Sequence, residues 1–146
     1  MLLQGAGTLK TNSENRAPSF FIKTFGCQMN RDDSLEMARL LRAMGFVEAP
    51  SPARADLVHV NTCCVRQKAE DKFFSFLGEQ RQGRERTGRP AVIGVSGCIP
   101  ERADIASSHP FLDYVVGSRH PEKYMPEISA LLNDRFPALA DLLPSE

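Results

Sequence analysis

Short apolar runs alternate with segments of helical periodicity along most of this chain. Residues 19–24, 57–61, 91–96 and 113–116 are rich in β-branched and aromatic side chains and are predicted strands, with a shorter one at 46–48. Apolar residues at helical spacing predict a helix ending near Gly45, and a second one through Phe73 and Leu77. A short helix after Pro100 and a closing helix at 124–132 complete the pattern.

This alternation of strands and helices predicts an α/β fold with three layers. We expect a doubly wound, mostly parallel, flavodoxin-like sheet covered by helices on both faces. The expected domain covers residues 19–132, after a flexible leader at 1–18 and before a linker at 133–146. The basic stretch 81–89 is predicted to be an exposed loop, for which contact with RNA is a minority interpretation.

Three cysteines each follow a predicted strand, at nearly equal intervals: Cys27, Cys63 and Cys98. The carboxyl ends of parallel strands lie at one edge of the sheet, where open α/β sheets bind ligands and cofactors. We therefore expect the three thiols to meet at that edge.

Thiolates from separate loops favour an iron–sulfur cluster, since zinc sites usually contain close C-x₂-C pairs. Cys64 is excluded as a further ligand, because neighbours on an extended chain point in opposite directions. Three ligands would leave one iron of the cluster open. The alternative is that the cysteines are buried small hydrophobic residues.

Four polar residues are predicted near the same edge and are placed to hydrogen-bond cluster sulfurs or a substrate: Gln28, Asn30, Asn61 and Arg66. Taken alone, each asparagine is better explained as a local cap, with Asn30 capping the first helix. Arg66 is the stronger functional candidate, because a cation near a helix start is electrostatically disfavoured. His59, His109 and His120 have no spaced partners and are assigned structural roles.

The composition argues against one class of protein, the dedicated nucleic-acid-binding domains. Of the 146 residues, 18 are basic and 18 acidic, so the chain lacks the excess positive charge of a dedicated nucleic-acid-binding domain. We find no apolar stretch resembling a signal peptide or a membrane span, and therefore expect a cytoplasmic protein that does not associate with membranes. Thiols stay reduced there, which argues against disulfides.

The cysteine motifs resemble the N-terminal domain of the radical-SAM methylthiotransferases. Three ordered blocks carry the resemblance: Phe25-Gly26-Cys27-Gln28-Met29-Asn30, Asn61-Thr62-Cys63-x-Val65-Arg66-x-Lys68-Ala69-Glu70-x-Lys72, and Gly97-Cys98. The first two blocks are most similar to the branch that makes 2-methylthio-N6-isopentenyladenosine in tRNA. The sequence departs from the family pattern at Cys64 and at residues 99–102.

The resemblance implies that Cys27, Cys63 and Cys98 hold an auxiliary [4Fe–4S] cluster, whose open iron delivers sulfur to C2 of an isopentenylated adenosine next to the anticodon. It also implies a second [4Fe–4S] cluster and S-adenosylmethionine on a radical-SAM domain. Because the sequence contains no C-x₃-C-x₂-C element, we expect the chain to be an N-terminal domain that is inactive alone. tRNA is then the partner of the full-length protein, expected to be a monomer.

Two other hypotheses remain open. A sibling methylthiotransferase would modify threonylcarbamoyl-adenosine in tRNA or an aspartate of a ribosomal protein, although Gln28-Met29 argues against both. In the other, the chain is a non-catalytic module, either an iron–sulfur redox or sensor domain or a domain that only docks a partner.

Overall fold

The computed structural model describes residues 17–26, 28–62, 67–97, 102–117 and 120–139. Strands and helices alternate along these residues. The strands are β1 (Ser19–Phe25), β2 (Val47–Glu48), β3 (Leu57–Thr62), β4 (Val92–Gly97) and β5 (Tyr114–Val116). The α-helices are α1 (Gln28–Met44), α2 (Gln67–Thr87), α3 (Arg102–Ser108) and α4 (Pro121–Arg135), and a short 3₁₀ helix spans Pro52–Arg54.

The five strands form one parallel sheet in the order β2-β1-β3-β4-β5. This is the flavodoxin-like order of a doubly wound fold, so the predicted fold class is confirmed. The order reverses between β1 and β3, because the chain leaves β1 towards β2 on one side and returns to β3 on the other. Such a switch point opens a crevice at the carboxyl ends of the strands.

Two apolar cores, one on each face of the sheet, hold the layers together. On one face, residues of α1 and α4 such as Leu41 and Leu132 pack against Phe20, Leu57 and neighbouring strand residues. On the other face, α2 covers the sheet with Phe73 and Leu77, which helical spacing predicted, and with Phe76. β3 and β4 are buried along their whole lengths, as expected for central strands covered on both sides.

The basic stretch 81–89 is not the exposed loop that the sequence predicts, because α2 continues to Thr87. The Arg84 guanidinium donates hydrogen bonds to the carbonyl oxygens of Pro90 and Phe111 at 3.0 and 2.9 Å, and binds the Asp113 carboxylate at 2.8 Å. These contacts anchor the end of the helix on the sheet.

The closing helix is longer than predicted, since α4 runs from Pro121 to Arg135. Arg135 binds Asp113 at 2.9 Å, and beyond it Leu139 is fully buried in the core on the α1 side. Residues 133–139, which the sequence assigned to a linker, therefore pack as part of the domain.

The first helix begins at Gln28, two residues before the predicted cap Asn30, which lies inside the helix. The predicted leader lies outside the described residues from position 1 to 16. Within the described part of the chain, no helix combines the length and the apolar character needed to cross a membrane.

Candidate functional site

Three neighbouring strands end at the same level of the sheet. Phe25 of β1 pairs with Thr62 of β3, and Thr62 pairs with Gly97 of β4. Neighbouring strands lie about 5 Å apart, so the three strand ends span about 10 Å. In the sequence, Cys63 and Cys98 are the next residues after Thr62 and Gly97, and Cys27 is the second after Phe25.

Gly97 allows β4 to run close beside β3 at this level. Its φ is +129°, and a Cβ atom there would overlap the carbonyl oxygen of Thr62. Only glycine adopts such a conformation readily, and here it also leaves room for the neighbouring backbone. The glycine before Cys98 therefore serves close strand packing.

The predicted site residues divide into two groups. Cys27, Cys63, Cys98, Arg66 and Cys64 lie outside the described residues, and their roles stay predictions. The other candidates are Gln28, Asn30 and Asn61. Of these, Gln28 is exposed at the start of α1, where its side-chain amide donates to Asp32 of the same helix at 3.3 Å.

The structure brings Asn30 and Asn61 together in the interior, one residue below the strand ends. Their exposed fractions are 0% and 2%. Nδ2 of Asn30 donates to Oδ1 of Asn61 at 3.3 Å, and Nδ2 of Asn61 donates to the Asn30 carbonyl oxygen at 2.8 Å. Asn30 lies inside α1 rather than at the cap position that the sequence favoured, and the two side chains join elements 31 positions apart.

A second buried polar cluster lies on the same face of the sheet, around His59. One imidazole nitrogen of His59 is 2.6 Å from the Tyr114 hydroxyl, and the other is 2.8 Å from the Ser96 hydroxyl. The Tyr124 hydroxyl donates to Ser96 at 3.3 Å, and its ring stacks on that of His59. The absence of a side chain at Gly94 makes room for the Tyr114 ring.

Burial keeps this cluster uncharged. Burial lowers the pKa of His59 to about 3. Burial also raises the pKa of Tyr124 to about 12 and that of Tyr114 well above its usual range. The cluster therefore joins β3 to β4 and β5, and β4 to α4, by neutral hydrogen bonds. This agrees with the structural role that the sequence assigned to His59.

A groove of about 390 Å³ flanks β1 on the opposite face, between the strand and the first half of α2. Lys23 lies over the Phe25 ring at 5.4 Å, and Lys72, Asp71 and Glu79 line the groove from α2. Its charges are of both signs, so it lacks the uniformly basic character of a phosphate-binding surface.

The three cysteines suit an iron–sulfur cluster both by their ligand chemistry and by their positions in the sequence. Thiolates are the ligands such clusters require, and the three cysteines adjoin strand ends that are in register. No group of three or more His, Cys, Asp or Glu side chains in the described ranges is arranged to hold a metal ion. All four cysteines of the chain fall outside those ranges.

A protein-family comparison decides the assignment. The model of the family described as "Uncharacterized protein family UPF0004" matches residues 19–117. The chain belongs to this family. The match covers the sheet from β1 to β5, including all three cysteine positions.

Curated relatives carry a methylthiotransferase name. The chain is 45% identical over 113 residues to the tRNA-2-methylthio-N(6)-dimethylallyladenosine synthase of Chlorobaculum tepidum, covering 75% of this chain and 24% of that protein. Proteins of the same name in Carboxydothermus hydrogenoformans and Bartonella bacilliformis are 40% and 42% identical, over 81% and 82% of this chain and 27% and 28% of their own lengths. The resemblance to the methylthiotransferases is thus confirmed, and the chain spans about a quarter of the length of these relatives.

Proposed function

We propose that this chain is the N-terminal cluster-binding domain of a tRNA methylthiotransferase, with Cys27, Cys63 and Cys98 as ligands of an auxiliary [4Fe–4S] cluster. The observation that carries the proposal is the register of Phe25, Thr62 and Gly97, since each cysteine adjoins one of these strand ends. The names of the relatives in the UPF0004 family support the same activity.

In this proposal, the full-length protein adds a methylthio group to C2 of N6-isopentenyladenosine next to the anticodon. When bound, the auxiliary cluster supplies an iron without a protein ligand, at which the sulfur is presented. The role of this chain is to hold the three thiolates at one edge and to fix their spacing through the packed strand ends. A second [4Fe–4S] cluster and S-adenosylmethionine belong to a radical-SAM domain, whose C-x₃-C-x₂-C motif this sequence does not contain.

We place the protein in the cytoplasm, where tRNA and reduced thiols are both available. The domain itself has equal numbers of basic and acidic residues, so most phosphate contacts with tRNA come from other parts of the full-length protein. Arg84 and Arg89 of the basic stretch are engaged in ion pairs with Asp113 and Asp56, which leaves them less suited to bind RNA.

Anaerobic reconstitution with iron and sulfide tests the ligand set. We expect about four irons per chain and a broad visible absorption typical of a [4Fe–4S] cluster. Each of the variants Cys27→Ala, Cys63→Ala and Cys98→Ala is expected to lose the cluster. Cys64→Ala is the matched control and is expected to retain it.

Binding of zinc in place of iron, or of no metal, would contradict the proposal, as would loss of iron in Cys64→Ala alone.

The coding sequence beyond Glu146 separates an enzyme domain from a redox or sensor module. A C-x₃-C-x₂-C motif there supports the enzyme, and mass spectrometry of tRNA nucleosides from cells with and without the full-length protein identifies the modified base.

A further inference from the structure

A row of polar side chains crosses the sheet one residue before the ends of β1, β3 and β4. Thr24 of β1 is in register with Asn61 of β3, and Asn61 with Ser96 of β4. All three residues are on the face covered by α1 and α4. Polar residues are unexpected here, because central strands of a parallel sheet are usually apolar throughout.

Asn61 ties this row to the start of α1. Its Nδ2 donates to the Asn30 carbonyl oxygen at 2.8 Å and to the Ser34 hydroxyl at 3.1 Å, while its Oδ1 accepts from Asn30. The Ser34 hydroxyl in turn is 2.7 Å from that of Thr24. One amide thus connects the end of β3 to α1 and, through Ser34, to the end of β1.

These contacts lie next to two of the proposed ligands in the sequence. Asn61 is two residues before Cys63, and Asn30 is three residues after Cys27. A buried amide stabilises a fold little more than a well-packed apolar side chain does, but its hydrogen bonds are satisfied in only one arrangement. Asn61 therefore contributes a defined distance between the end of β3 and the start of α1.

We propose that Asn61 is a positioning residue, which fixes the end of β3 to the start of α1 and thereby sets the distance between Cys27 and Cys63. This inference rests on the proposed function for its purpose, but the distance itself can be measured without iron. It assigns Asn61 no contact with the cluster or with a substrate.

The test measures the effective concentration of the two thiols in the full chain. In a background of Cys64→Ala and Cys98→Ala, the equilibrium between the Cys27–Cys63 disulfide and glutathione reports how readily the thiols meet. We expect Asn61→Ala to change this effective concentration about tenfold, the factor that corresponds to losing a buried hydrogen-bonded group. In the background with all cysteines, the same variant is expected to release iron to a chelator about tenfold faster.

A stability-matched control separates positioning from simple destabilisation. Asp113→Ala removes ion pairs with Arg84 and Arg135 at the opposite edge of the sheet. We expect it to lower the free energy of unfolding while leaving the effective concentration of the two thiols within about twofold of the original. Asn30→Ala, which keeps the carbonyl that Asn61 binds, is expected to change the effective concentration about threefold and serves if Asn61→Ala does not fold.

The outcomes distinguish this inference from the proposed function. Equal effective concentrations in Asn61→Ala and Asp113→Ala overturn the inference, even if every variant binds iron and the proposed function stands. If Asn61→Ala does not fold, an unchanged effective concentration of the two thiols in Asn30→Ala overturns the inference. If the unaltered chain binds no iron but Asn61→Ala changes the effective concentration, the proposed function fails and the positioning role stands.

Discussion

At the residue scale, His59 is a titratable side chain held uncharged by its surroundings. It is fully buried, and each of its ring nitrogens has a hydroxyl partner, from Tyr114 and Ser96. Burial lowers its pKa from 6.5 to about 3, so protonation is far easier in the unfolded chain than in the folded one. Folding therefore excludes a proton at mildly acidic pH.

We predict that the free energy of unfolding decreases as the pH is lowered, because of this one residue. The contribution of neutral His59 is complete above pH 6.5 and is lost progressively as the pH decreases towards 3. The free energy of unfolding should decrease by at most about 1.4 kcal/mol per pH unit in this window. Urea unfolding of the cluster-free, reduced chain between about pH 7 and pH 5 measures the slope, above the range in which most carboxylates titrate.

Two histidine variants test the assignment of that slope. His59→Gln is expected to flatten it, although the variant is less stable at neutral pH. His120→Gln, at an exposed position before α4, is the comparison variant. Equal slopes in His59→Gln and in the original chain would show that other groups cause the pH dependence.

At the scale of secondary-structure elements, the end of α2 is fixed by one arginine. Arg84 binds Asp113, whose carboxylate also accepts the backbone N–H of Ile93 at 2.9 Å. Asp113 further binds Arg135 at the end of α4. The carboxylate thus joins the ends of two helices, one from each face, to the start of β4.

We predict that Arg84→Met lowers the free energy of unfolding by about 2 kcal/mol, because buried hydrogen-bond acceptors lose a charged donor. Arg86→Met is the matched control, since Arg86 is exposed on the same helical turn and its loss should change stability by no more than about 0.5 kcal/mol. Urea unfolding of both variants measures the difference. Equal effects would contradict an anchoring role for Arg84.

The strands and the faces of the helices could be predicted because their apolar periodicity is strong. The end of α2 could not, since Gly83, Gly88 and the charges between them resemble a loop until the contacts of Arg84 are known. The pairing of Asn30 with Asn61 was also missed. It depends on which strands become neighbours, and the local sequence of either residue favours a cap instead.

At the scale of the whole molecule, the two edges of the sheet are built differently. At the amino edge, Asp56 and Asp113 form ion pairs with arginines, and Asp56 also accepts the backbone N–H of Ser19 at the start of β1. These contacts stabilise the fold. At the carboxyl edge, a row of polar side chains, of which Asn61 and Ser96 are buried, precedes three strand ends in register. Three cysteines adjoin that edge in the sequence, as expected for a fold that binds ligands at its switch point.

The central claim is that three cysteine thiolates hold a [4Fe–4S] cluster and leave one iron without a protein ligand. Mössbauer spectroscopy of the chain reconstituted with ⁵⁷Fe tests this claim most directly. We predict a [4Fe–4S] signal in which about one quarter of the iron is a distinct site, whose parameters change when a small thiolate is added. A cluster whose irons respond identically to the thiolate, or a chain that assembles no [4Fe–4S] signal, would contradict the account.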